Sequence, residues 1–286
     1  MMVRRRGRAL VAALLAVFCL APSVATHASP PSLVVTYDIQ YSGLLSLDVG
    51  SATVQYGATG SGYQLAMLFR PSPSARSLSV GPAAARTTGM VASGKLTPQT
   101  SSVDYSVRSL TESRSFTFSG GRLQSVRITK RKGGGLFKEA SSVAYDPRSL
   151  PAYAPLSEAE QKGVIDPLSA MFLPLLGPSS NDRANCDRKL RVYDGRRRFD
   201  LVMSYEGVEP AGAGGREAIL CKASYLPIAG QSIDGDEFTE SMRDYRVMVA
   251  LVPAPNLAFL VPSRITLTDS GGAPVAEARA VAMVGR

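Results

Sequence analysis

The chain of 286 residues has no tryptophan, one histidine and three cysteines. His27 and Cys19 both fall inside an N-terminal segment, residues 1–28, that reads as a cleaved signal peptide. The mature protein is therefore expected to hold no histidine and two cysteines, Cys186 and Cys221. Without imidazole, Ser-His-Asp and Cys-His catalysis are excluded, as are zinc sites built on histidine. With both cysteines paired, thiolate nucleophiles and thiolate metal ligands go as well. The missing tryptophan removes a common sugar-stacking platform and argues against a glycosidase, although a carboxylate pair that assembles only in the fold leaves no mark in sequence. Ser-x-x-Lys, P-loop and dinucleotide-binding patterns are all lacking. The expectation is a protein with no enzymatic activity, no cofactor and no metal.

What is present begins with the export signal. Arg4, Arg5, Arg6 and Arg8 form a basic n-region, Ala9 to Leu20 an apolar core, and Thr26 and Ala28 the small residues that a signal peptidase requires, which makes Ser29 the first mature residue. Ser23 and Ala25 offer an alternative cut. Pro22 interrupts the apolar stretch before it reaches the roughly 20 residues of a membrane span, so no stable transmembrane segment is expected after cleavage. Phe18 is too bulky for a lipoprotein signal at Cys19, and Gly7 and Arg8 do not fit a twin-arginine signal. Export by the general secretion route follows. An even pair of cysteines in an oxidising compartment reads as a Cys186–Cys221 disulfide, the alternative being two separate buried thiols.

The formal net charge is +9, four units of which leave with the signal arginines. The excess that remains is too modest for a nucleic-acid binder. Basic runs are short: Lys130 to Lys132 beside Gly133, Gly134 and Gly135, and Arg196 to Arg198 after Asp194-Gly195. Each is expected at a turn.

Period-two alternation dominates, the mark of half-buried strands. Tyr37, Ile39 and Tyr41 share one face, as do Tyr63, Leu65, Met67 and Phe69. Phe116 and Phe118 lead through Ser119-Gly120-Gly121-Arg122 to Val126 and Ile128, a hairpin. Phe199, Leu201, Met203 and Tyr205 form another such face, and Tyr245, Val247, Val249 and Leu251 a further one. The Pro/Ser-rich stretch from Pro71 to Pro82 reads as a long loop, and Pro147 to Pro155 is similar. In the middle, Ser157 and Glu160 have capping-box spacing, with Gly163 as the stop. Asp166 and Pro167 then start a short helix that carries Leu168, Met171, Phe172 and Leu175 on one face, limited by Pro174. The predicted fold is mainly β: one domain over 33–284, a large, strongly curved antiparallel sheet, an open barrel or spiral, with a short helix after Asp166.

Candidate chemistry is sparse. Asp234, Asp236, Glu237 and Glu240 cluster around Gly235 without EF-hand spacing and read as a solvated acidic loop. Gly212, Gly214 and Gly215 read as a turn. The segment from Cys186 to Leu201 stands out. Leu190 and Val192 before Asp194-Gly195, and Phe199 and Leu201 after it, make a hairpin that the disulfide ties to the strand carrying Ile219, Cys221, Ala223 and Tyr225. Arg196, Arg197, Arg198 and Asp200 are its candidate contact residues, because guanidinium forks recognise carboxylate or phosphate.

Several blocks together resemble the bacterial envelope proteins grouped as domain of unknown function 3108. They are Tyr37-Asp-Ile-Gln-Tyr-Ser-Gly-Leu-Leu with Val49-Gly50-Ser51-Ala52, Gly94 to Pro98, Ile165-Asp166-Pro167-Leu168-Ser169-Ala170, the run from Tyr193 to Leu201, and Tyr225 to Gly230. The resemblance implies an exported, mostly periplasmic β protein of a Gram-negative bacterium and no established activity. The leading expectation is a non-enzymatic periplasmic protein that supports envelope integrity through a protein partner. The alternative is a carrier or sensor of a lipid or other amphiphile in a cavity of the sheet. An empty apolar cavity favours the carrier, and a filled core the scaffold.

Overall fold

A computed structural model describes residues 32–42, 46–132, 139–145, 154–211, 216–232, 242 and 245–285. The predicted signal peptide, the Gly212–Gly215 turn, the acidic loop around Gly235 and most of Pro147–Pro155 lie outside these residues.

The alternating segments become strands of one antiparallel sheet. In chain order they are β1 (Ser32–Ser42), β2 (Ser46–Thr59), β3 (Gly62–Pro71), β4 (Val80–Ala92), β5 (Lys95–Val107), β6 (Leu110–Ser119), β7 (Arg122–Lys132), β8 (Glu139–Tyr145), the two-residue β9 (Leu173–Pro174), β10 (Arg188–Tyr193), β11 (Arg198–Ala211), β12 (Arg216–Ala229), β13 (Arg246–Pro253), β14 (Phe259–Thr268) and β15 (Pro274–Gly285). Fourteen of them follow one path, from β10 through β15 to β1 and on to β8, with β9 attached to β14. Strands consecutive in sequence are neighbours in the sheet from β1 to β8 and from β10 to β15, and the two runs are joined at the middle, where β1 pairs with β15 from Leu33↔Gly285 to Tyr41↔Ala276. The hairpin turns fall where expected: Gly120 and Gly121 at φ 57° and 69° occupy the left-handed region that a tight β6–β7 turn demands.

The sheet is not closed into a barrel, and its two edges, β8 and β10, flank the long connection that contains residues 154–187. That connection seals the opening. Leu123 N–H donates to the Gln161 carbonyl at 3.0 Å and Gly163 N–H to the Gly121 carbonyl at 2.7 Å, fastening it to the β6–β7 turn. On the other side Ile165 N–H donates to Arg191 and Tyr193 N–H to Ile165, at 2.8 and 2.9 Å, fastening it to β10. The Ser157–Glu160 pair forms its reciprocal capping box on a turn of this segment, with Ser157 N–H to Glu160 Oε2 at 2.6 Å and Glu160 N–H to Ser157 Oγ at 3.3 Å.

Three apolar clusters result. The largest joins Leu33, Val35, Tyr37, Tyr56 and Leu65 to Leu168 and Phe172 of the connection. A second packs Phe116, Phe118, Leu123 and Val126 near one end of the sheet against Leu156, Val164, Tyr193 and Ala229, drawing the two ends together. The third surrounds the Cys186–Cys221 disulfide with Leu173, Met203, Ile219, Leu251 and Leu260. Both cysteines are fully buried and their Cα atoms lie 5.4 Å apart.

Two local expectations are corrected. The helix after Asp166 is a single 3-10 turn, Ser169–Met171, because Leu173 and Pro174 leave the helical path to pair with Leu260 and Phe259 of β14. Leu168 and Phe172 still reach the core, while Leu175 stays 36% exposed. The stretch from Pro71 to Pro82 is no long loop: β3 runs to Pro71, Ser72 caps the helix α1 (Pro73–Ser77) by accepting from Ala75 N–H at 3.0 Å, and β4 begins at Val80. Proline at the first helical position needs no donor there, so the same residues that punctuate a loop start a short helix.

Candidate functional site

The inner face of β3 to β6 is built in rows. Leu65, Thr87, Ser101 and Phe116 pair across the four strands, then Met67, Ala85, Val103 and Arg114, then Phe69, Ala83, Tyr105 and Glu112. Small side chains at Ala85 and Ser101 fall opposite the connection, between the larger Met67 and Phe116. A cavity of about 230 Å³ lies there, lined by Met67, Ala85, Val103 and Phe116 of the sheet, by Pro167, Leu168 and Met171 of the connection, and by the polar groups Ser101, Tyr105, Arg114, Asp166 and Asp194.

Asp166 anchors the connection at the cavity wall. It is fully buried and its Oδ1 accepts from Thr87 Oγ1 at 2.7 Å and from Leu168 and Ser169 N–H at 3.0 Å each, while Oδ2 accepts from Ser169 Oγ at 2.5 Å. Tyr63 and Ser169 hydroxyls meet at 3.0 Å, and those of Thr87 and Ser101 likewise. Burial pushes the Asp166 carboxyl above the usual aspartate range, against the hydrogen bonds that hold it down. The N-cap role expected of Asp166 is met, on a 3-10 turn in place of a helix.

The opposite wall carries charge. Glu112 and Arg114 share the inner face of β6 with Phe116 and Phe118 and are 2% and 8% exposed. Arg114 Nε donates to Glu112 Oε1 at 2.5 Å, Nη2 to the Tyr105 hydroxyl at 2.9 Å and Nη1 to the Asp194 carbonyl at 3.4 Å. Burial alone would raise the Glu112 carboxyl; Arg114, the Tyr105 hydroxyl and Arg196 outweigh it and hold the group below its ordinary range.

The Asp194–Arg197 turn between β10 and β11 docks onto this wall. Asp194 Oδ1 accepts from Arg196 and Arg197 N–H at 2.8 and 2.6 Å, and Gly195 sits at φ 87° with Arg114 and Phe116 packed against it. Of the candidate contact residues, Arg196 lies 3.7 Å from Glu112 and Arg197 3.5 Å from Asp194. Arg198 pairs with Asp200 at 2.6 Å, both buried, and its Nε donates to the Glu160 carbonyl of the connection. The fold thus spends these guanidiniums on internal pairing. Arg198 and Asp200 alternate with Phe199 and Leu201, and here the charged pair is buried while the apolar pair is half-buried, the reverse of what alternation alone suggests.

Sequence reasoning missed Glu112, Arg114, Tyr105, Ala85 and Ser101. The signal for the first two was legible: in Glu112-x-Arg114-x-Phe116-x-Phe118, ions occupy positions that the strand period assigns to the apolar face. Among the described residues no group of His, Cys, Asp and Glu side chains is placed to hold a metal ion, and no helix is long and apolar enough to cross a membrane.

The family model described as a protein of unknown function, DUF3108, matches residues 36–224. The chain belongs to the DUF3108 family. The match spans every cavity-lining residue of this DUF3108 chain, and it also takes in the disulfide and the arginine turn. No curated protein matches the sequence. Among solved structures, a crystal structure of a domain whose description assigns it to outer membrane lipoprotein sorting, from Vibrio parahaemolyticus, aligns over 91% of this chain and 87% of its own at 8% identity and a TM-score of 0.28.

Proposed function

We propose that this DUF3108 chain is a non-catalytic binding protein of the bacterial envelope whose rolled sheet carries a small amphiphile. The cavity is the observation that supports the reading. About 230 Å³ of concave space, partly open to solvent, lies between an apolar wall and a charged one. Binding sites for small molecules combine these features: a mostly apolar concave surface with a few placed polar groups. The volume is below the roughly 300 Å³ at which pockets for drug-sized ligands begin, so the ligand has a short chain, or inserts only part of a longer one. Export to the periplasm rests on the reading of residues 1–28. The protein-partner reading ranks second, since the guanidiniums it relied on are engaged within the fold.

The test is native mass spectrometry of protein purified from periplasm, with binding of the fluorescent probe N-phenylnaphthylamine measured alongside. Wild type is expected to show an added mass or to bind the probe. Ala85→Phe, which puts a ring into the cavity, is expected to lose both while keeping its disulfide and its circular-dichroism spectrum. A wild type that is clean and does not bind the probe, or an Ala85→Phe protein that binds it equally well, overturns the reading.

A further inference from the structure

Arg114, at the polar end of the cavity, has more donors than partners. A guanidinium offers five N–H groups, and Arg114 places three of them, on Glu112, Tyr105 and, at a long 3.4 Å, on the Asp194 carbonyl. Two N–H groups of this cavity-lining side chain have no acceptor among the described residues. The carboxylates nearby are already occupied: Asp166 accepts four hydrogen bonds, and Asp194 Oδ1 accepts two backbone N–H groups. Among the cavity-lining residues Arg114 is the cation and Asp166 and Asp194 are the carboxylates, and Arg114 also pairs with Glu112. The Tyr193 hydroxyl, outside the cavity lining, is a further polar atom without a partner among the described residues, on a fully buried ring that meets cavity-lining Phe116 edge-on at 5.5 Å.

Resting on the amphiphile reading, we infer that the ligand has an anionic head, a carboxylate or phosphate on a single apolar chain, and that Arg114 is the residue that engages it. The guanidinium fork suits a planar or tetrahedral oxyanion, and the chain lies along Met67, Ala85, Leu168 and Met171. At the ~30 Å³ that a water molecule occupies in the liquid, the cavity has room for about eight groups of that size, which makes an eight-carbon chain the appropriate probe.

Isothermal titration of the full mature protein with octanoate, octyl phosphate, octanol and octylamine separates the outcomes. Octanoate or octyl phosphate is expected to bind about tenfold tighter than octanol, the low end of what a hydrogen bond to a charged group contributes. Added salt is expected to weaken the anions and not the alcohol. Whichever anion binds more tightly identifies the head group. Octanol or octylamine binding as tightly as both anions overturns the inference while leaving the amphiphile reading standing; binding of none of the four removes that reading itself. Arg114→Lys, which keeps the charge without the fork, is expected to reduce the preference for anions over octanol. An unchanged preference in a folded Arg114→Lys protein overturns the assignment to Arg114.

Discussion

Replacing Asp166 with alanine removes an acceptor from four donors at once, and the structure separates those that can find another partner from those that cannot. The Thr87 hydroxyl can turn to Ser101 and the Ser169 hydroxyl to Tyr63, each 3.0 Å away. The N–H groups of Leu168 and Ser169, both bonded to Asp166 Oδ1 at 3.0 Å, are fixed by the 3-10 turn and left buried without acceptors. Each orphaned donor costs about 1–3 kcal/mol, so Asp166→Ala should destabilise by about 2–6 kcal/mol, a large part of the 5–15 kcal/mol typical of a folded domain. Asp166→Asn keeps an oxygen at the Oδ1 position and should cost about 1 kcal/mol. Urea denaturation at pH 7 measures the difference as a shift in midpoint at constant slope. If the alanine and asparagine proteins unfold within about 1 kcal/mol of one another, the claim that Asp166 holds the connection in place is wrong. The same residue has a pH signature. Its carboxyl is raised in the folded state, so between the unfolded value of about 3.9 and the raised folded value the folded protein binds more protons. Its contribution to stability is therefore complete below that window and lost as pH rises through it. Wild type should gain stability relative to Asp166→Asn on acidification.

Other consequences can be measured independently. Glu112 behaves in the opposite sense, since its depressed carboxyl contributes stability above about pH 4.3 that is lost as pH falls through the lower folded value; Glu112→Gln should flatten that limb of a stability–pH curve. Arg114→Met removes the charge-assisted hydrogen bond to Glu112, leaving Arg196 and Lys130 at 3.7 Å, and should cost about 1.5–3 kcal/mol, whereas adding Glu112→Gln should cost less than the sum of the two changes, a coupling that a double-mutant cycle reads directly. Replacing Cys186 and Cys221 together by serine should lower stability by roughly 3–4 kcal/mol on the chain-entropy account, and reductant should lower the melting temperature of wild type but not of that variant. Gly230→Ala places a Cβ onto the Arg196 carbonyl at a residue with φ 76°; a loss of about 2 kcal/mol or more is expected in thermal unfolding.

The elements that were legible in sequence are those fixed by local periodicity. The β6–β7 hairpin is announced by Phe116, Phe118 and the Gly120-Gly121 turn, and the β10–β11 hairpin pairs Val192 with Phe199 and Leu190 with Leu201, as the alternation requires. The disulfide followed from compartment and count. What could not be read depends on partners distant in sequence. Leu168 and Phe172 fit a helix by spacing, but β14 claims the residues that follow them. Arg196 to Arg198 look like a solvent-facing run until Glu112, from a strand before the connection, and Asp200 are brought against them. Ala85 and Ser101 are unremarkable small residues in their own strands. They become the floor of a cavity only because the connection passes over them.

The pairing of β1 with β15 at the middle of the sheet also dictates an order of assembly. Tyr37 on β1 donates to the Pro262 carbonyl across a separation of 225 residues, and β15 leaves the ribosome, and on the export reading the translocation pore, after every other described strand. Until it arrives, β1 presents an open edge of unpaired amides and carbonyls, the kind of edge that invites pairing with another chain. Contacts this distant in sequence also form slowly. The protein should thus depend on a holding chaperone during the interval before β15 docks, and truncation within Pro274–Gly285 should produce aggregation in place of a smaller folded domain.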